Sequence, residues 1–154
     1  MIGSLQKNKI NKLLGKIKLI HSLDSLNLIE ALDKRLASNN MELDGLLQVN
    51  ISKEESKSGF YKDEVEEVLE KMQKYKNLHI LGFMTMAPFT EDEAVVRSTF
   101  RGLYELKEKM ASKKFDNVNL KYLSMGMTHD YKIAIQEGSN ILRIGSKIFG
   151  ERNY

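Results

Sequence analysis

The sequence predicts a parallel α/β fold of about five to six strand–helix units, the (β/α)8 TIM-barrel type being one of the two arrangements open to it. Three observations predict it: short apolar runs of strand length recur along the chain, the segments between them carry helical periodicity, and the connections are short. Near-continuous hydrophobicity within each run is what strands covered on both faces show. An open doubly wound sheet is the other parallel arrangement this alternation allows.

The chain opens with MIG, read as the stub of a strand, and continues into SLQKNKINKLLG, read as a basic amphipathic surface helix. KLIHSL (18–23) is the first full strand. Ser25 then stands as N-cap of LNLIEALDKRLASNN, where Leu26, Ile29, Leu32 and Leu36 recur at three- and four-residue spacing. GLLQVNI (45–51) is the second strand. The helix after it, DEVEEVLEKMQKYK, opens with acids and closes with lysines, as the helix dipole prefers. LHILGFMTM (78–86) is the third strand, and EDEAVVRSTFRGLYELKEKMASKK places Val96, Phe100, Leu103, Leu106 and Met110 on one stripe. LKYLSMGM (120–127) is the fourth strand. HDYKIAIQEG is a short helix ended by Gly138, and NILRIG (140–145) is a fifth strand leading into a closing helix, KIFGER.

At 154 residues the chain reads as one domain, 1–154, able to bury about 70% of its unfolded surface. The net charge of +3 is mild, and most lysines alternate with acids, which argues against a nucleic-acid partner. No run reaches the roughly 18 apolar residues of a membrane span. The absence of cysteine removes disulfides and thiolate chemistry and is compatible with a cytoplasmic protein.

Five of the ten glycines stand from Gly102 onward. SMGMT (124–128) leaves a strand and enters a helix, so the amides of Gly126, Met127 and Thr128 fall where an anion is favoured, with a hydroxyl beside them. RIGSKIFG repeats the design with Gly145 and Ser146. Two such turns side by side could close around one phosphate; the alternative is that both glycines only permit tight strand exits. Gly102 reads as incidental on a helix surface. Arg143, on the last strand, needs a partner inside a barrel, whether an anion, a heteroaromatic nitrogen or an internal carboxylate. His21 and His129 lack ligand spacing, and no His/Asp/Glu cluster suggests a metal. Lys57, in the loop EESKSGFYKDE, can reach a barrel mouth, where Asn50 and Ser52 also fall. Met84, Met86, Met125 and Met127 read as core filler.

SMGMTHD, followed by AIQEGSNILRIGSKIFGERNY, closely resembles the C-terminal signature of the pyridoxal phosphate homeostasis proteins, barrels related to the N-terminal domain of alanine racemase. IGSLQKNK, IHSLDS, LLQVNISKEESKSGF and HILGFMTMAP resemble that family's third to sixth strands in order. The resemblance implies pyridoxal 5'-phosphate (PLP) as cofactor, its phosphate held by Ser124, Met127, Thr128, Gly145 and Ser146. It implies that Arg143 faces the pyridine nitrogen and keeps it unprotonated, which weakens the ring as an electron sink. The implied role is intracellular PLP homeostasis without firm catalytic activity.

The family's Schiff-base lysine lies in a VSK-like first strand, and neither that motif nor the family's second strand occurs in these 154 residues. The expectation is therefore a truncated barrel, lacking about a third of a typical 250 residues, with PLP binding impaired, weak or non-covalent. Lys57 is the possible secondary lysine. Unpaired sheet edges imply self-association. A racemase-like enzyme and a non-binding, self-associating fragment are the two other readings.

Overall fold

A computed structural model describes residues 1–54 and 56–150. Glu151 and Arg152, read as the end of the closing helix, lie outside the described residues. Four strands, β1 (Leu19–Leu23), β2 (Leu43–Gln48), β3 (Leu78–Met84) and β4 (Val118–Ser124), form one sheet in the order β1-β2-β3-β4, every neighbouring pair parallel. The helices are α1 (Ile10–Leu13), α2 (Leu26–Ser38), α3 (Val65–Met72), α4 (Glu93–Ala111), α5 (Tyr131–Gln136) and α6 (Ser146–Phe149). Each strand pairs with the next in sequence, which is barrel winding; a doubly wound sheet reverses its strand order part-way.

The two ends of the sheet are single pairings. The Met1 amino group donates to Leu19 O at 2.6 Å and His21 N donates to Met1 O at 3.0 Å, so the MIG stub runs alongside β1. The predicted fifth strand is reduced to one bridge, Ser124 to Ile141. Backbone bonds are made around Ile141, and beside them a side chain takes part: Asn140 Oδ1 accepts from Leu123 N at 2.7 Å while its Nδ2 donates to Lys121 O at 2.7 Å. The segment read as the first helix also shrinks, to a 3-10 turn at Lys7–Lys9 and the four residues of α1.

Alternation sorts each strand into two faces. Leu23, Leu47, Phe83 and Leu123 stand in register, all 2% exposed or less, and share one core with Leu32 and Leu36 of α2, Leu69 of α3 and Phe100 and Leu103 of α4. Each such side chain removed from water contributes about 1.5–3 kcal/mol, which holds the helices on this face. Gln48, Met84 and Ser124 are in register on the opposite face. A flat sheet would put β1 and β4 about 14 Å apart. Yet His21 Nδ1 on β1 lies 2.8 Å from Ser124 Oγ on β4, so the sheet curls until its first and fourth strands touch across the concave face.

Two local readings change. Ser25 occupies the N-cap position of α2 with extended backbone, but its hydroxyl donates to Asp24 instead of accepting from the helix. Gly102 is not incidental: a Cβ there would come 3.0 Å from Ile51 Cγ2 in the loop after β2.

Candidate functional site

The strand ends and the turns after β4 build the site. Gly126 takes φ +94, and a Cβ on it would lie 2.5 Å from Ala134 Cβ and 3.0 Å from Leu142 Cδ2. The chain can therefore turn so sharply here only without a side chain. Arg143 N donates to Gly126 O at 2.9 Å, which sets the second glycine turn beside the first. The outcome is direct: Ser146 Oγ, at the start of α6, donates to Thr128 Oγ1 at 3.1 Å. Both hydroxyls are exposed or half-exposed, and Gly145 between them is exposed with nothing within 4 Å of where a Cβ would stand.

Arg143 is anchored from the protein side. Its Nη1 donates to Ser124 O at 2.7 Å and to Ser124 Oγ at 2.8 Å, and its Nη2 donates to Thr85 O at 2.8 Å. These use three of the five guanidinium donors and leave two for something else. Burial draws its pKa below the ordinary arginine value, with Asp130 pulling the other way. No carboxylate hydrogen-bonds it, so among the described residues its partners are carbonyls and a serine, not an internal acid.

Two of the residues assigned to the phosphate sit differently from the expectation. Ser124 is fully buried, its hydroxyl shared between Arg143 and His21, so it positions the guanidinium and does not present a free hydroxyl. The Met127 amide donates to Asp130 Oδ1 at 2.5 Å, because a carboxylate three residues on satisfies that orphan donor before any ligand does. Thr128, Gly145 and Ser146 come together as the sequence suggested.

Lys57 stands at the same mouth. Its Nζ donates to Glu54 Oε1 at 2.6 Å and lies 3.4 Å from Met86 O, one residue beyond the carbonyl that Arg143 holds. Its side chain is 20% exposed, so it is a half-buried ion-paired lysine instead of a solvated one. Asn50 and Ser52 brace this loop: Asn50 Nδ2 donates to Glu54 O and Lys57 O, and Ser52 Oγ donates to Glu54 Oε1. Met84 and Met125 are core, whereas Met86 and Met127 are exposed at the strand exits. Phe89, in the loop after β3, meets His129 edge-on at 5.9 Å between ring centres. Among the described residues no three His, Asp or Glu come together as a metal ion needs, and no helix is long and apolar enough to cross a membrane.

His21 was not singled out by its sequence context. Burial, then the positive charges of the chain's amino group and of Arg143, push its imidazole from 6.5 down to about 4. A base whose folded pKa is depressed binds protons better in the unfolded chain. The stability tied to it is present above pH 6.5 and is lost as the pH falls from there toward 4. Thermal melts should therefore show stability falling by up to about 1.4 kcal/mol per pH unit across that window. His21→Gln should flatten that slope; an unchanged slope would show that another group carries it.

Comparison with known proteins gives the family. The family model of the alanine racemase N-terminal domain matches residues 1–153. The pyridoxal phosphate homeostasis protein of Aquifex aeolicus is 44% identical over 153 residues, covering 99% of this chain and 66% of that protein. That of Helicobacter pylori strain 26695 is 43% identical over 155 residues, covering 98% and 66%. Among solved structures, PipY of Synechococcus elongatus with PLP bound superposes with a TM-score of 0.87 at 27% identity, covering 97% of this chain and 69% of that one. The chain thus spans just under two thirds of the length of these two curated relatives. It belongs to the alanine racemase N-terminal domain family and, within it, to the pyridoxal phosphate homeostasis proteins.

Proposed function

We propose that this chain binds PLP without a covalent link and takes part in intracellular PLP homeostasis without catalytic activity of its own. The observation that carries the reading is the meeting of Thr128 and Ser146 hydroxyls at 3.1 Å beside a guanidinium already fixed by Ser124 and Thr85. A phosphate group fits this donor set. Two hydroxyls converge, the first amides of α6 have no carbonyl one turn back, and Gly145 leaves open space on the approach. When bound, PLP supplies an aldehyde and an electron-accepting ring. Arg143 has only hydrogens to give, so it suits an unprotonated ring nitrogen, and a ring held that way is a weak electron sink. Homeostasis is the role this favours over racemisation.

Lys57 reaches the mouth, but Glu54 holds its ammonium. In this reading Lys57 makes no bond to the cofactor. Self-association through the two sheet edges, each covered by a single pairing, belongs to the same reading and is read by sedimentation of the binding samples.

Titration of the 154-residue protein with PLP tests the proposal. Binding should be competed by inorganic phosphate, and borohydride should leave no label on Lys57. Gly145→Val should weaken binding about 10-fold or more while leaving the melting temperature close to the parent's, because its side chain enters open space that the phosphate needs. Absence of binding, or binding indifferent to phosphate and to Gly145→Val, would sink it.

A further inference from the structure

The two turns of the candidate site are joined from behind by four residues that lie outside it, Glu137 to Asn140. Glu137 at the end of α5 is only 4% exposed and is gripped by α4: Arg97 Nη1 donates to its Oε1 at 2.9 Å and Arg101 Nε to its Oε2. Those hydrogen bonds, Arg101's first, hold its carboxyl below the ordinary value of 4.5 against the opposing effect of burial. Gly138, with φ +90, then closes the helix: Gly138 N donates to Ile135 O and Ser139 N to Ala134 O.

Ser139 comes next, and three carbonyls surround its hydroxyl: Met125 O at 2.7 Å, Ile141 O at 3.1 Å and Leu123 O at 3.3 Å. A hydroxyl has one proton. Leu123 O and Ile141 O already accept from backbone amides, of Asn140 and Ile141 and of Met125 respectively. Among the described residues Met125 O receives no hydrogen bond but the one from Ser139, and Met125 is 0% exposed. So the proton belongs to Met125 O. Met125 directly precedes Gly126, and Ile141 lies two residues before Arg143. Ser139 itself lies two residues before Ile141 in the segment that starts the second turn, so its one bond to Met125 O ties the strand that ends in the first turn to that segment.

We propose that Ser139 is a positioning residue for the anion cup: it touches no ligand and sets the spacing at which Thr128 and Ser146 meet. This rests on the reading of the site as a phosphate cup. Without the hydroxyl, Met125 O is left buried and unpaired, and the first turn relieves that by moving relative to the second.

The test is the affinity of folded protein for PLP and for inorganic phosphate, with folding followed separately by circular dichroism and melting. Ser139→Ala should raise both dissociation constants about 10-fold, and Ser139→Thr, which keeps the hydroxyl, should restore most of the loss. The phosphorus resonance of the bound phosphate should shift in the alanine variant. Its effect should be less than additive with Thr128→Val, since both act on one turn. Ser139→Cys, nearly isosteric and a weaker donor, carries the same test should the alanine variant not fold. Parent protein that binds neither probe would overturn the cup and the positioning role with it. A parent that binds, with folded alanine or cysteine variants of unchanged affinity and unchanged phosphorus resonance, would overturn the positioning role alone.

Discussion

Arg143→Gln is expected to weaken PLP binding about 10- to 100-fold, the largest loss from any single contact residue of this site. The substitution removes a charged donor set, and hydrogen bonds to charged groups contribute roughly 1.5–3 kcal/mol each. It also frees the carbonyls of Ser124 and Thr85, which hold the guanidinium at 2.7 and 2.8 Å and face the ligand side once it is gone. Competition by inorganic phosphate should persist in the variant, because Thr128, Gly145 and Ser146 are untouched. A variant that keeps parental affinity for PLP would show that Arg143 is a structural clamp and nothing more. Arg143→Lys should not rescue: one ammonium cannot reach two carbonyls from different strand ends and still present donors outward.

Gly126→Ala is expected to be the most damaging change to the fold among the site residues. At φ +94 an alanine is strained, and its Cβ would stand 2.5 Å from Ala134 Cβ and 3.1 Å from the backbone of Tyr131. Strain and overpacking each cost about 1–3 kcal/mol, so the melting temperature should fall on the order of 10 °C. The neighbouring glycine makes the control. Gly145 has ordinary φ and empty space around it, so substitution there separates binding from stability, whereas at Gly126 both fall together. Equal thermal losses at the two positions would contradict this assignment.

What was legible in the sequence follows from which forces are local. Four of the five predicted strands are present within a few residues, because a run such as LHILGFMTM is buried on two faces and advertises it. The fifth was read from equally apolar residues but bridges only at Ile141, and just before it the Asn140 side chain, not its backbone, bonds Leu123 N and Lys121 O. The pairing of SMGMT with RIGS was visible as a repeated glycine–hydroxyl pattern, and Thr128 and Ser146 do meet. What each member does was less visible. Ser124 and the Met127 amide look like anion donors in the sequence, yet Arg143, His21 and Asp130 claim them first. His21 and Ser139 carried no spacing signal, because their partners are fixed by the curl of the sheet and by a backbone carbonyl, neither of which residue types announce.

The contact between His21 and Ser124 also sets when the site can exist. The two residues are 103 apart in sequence, and bringing such distant points together costs loop-closure entropy before any contact repays it. Arg143, which rests on Ser124, therefore cannot be fixed by any local piece of the chain. Its own anchors stand at the ends of β3 and β4, and the contact from β1 backs Ser124, so the complete site needs these non-local contacts in place. A partly folded chain with most of its helices formed still presents no assembled site, and ligand binding reports completion of the curl more sharply than helix content does.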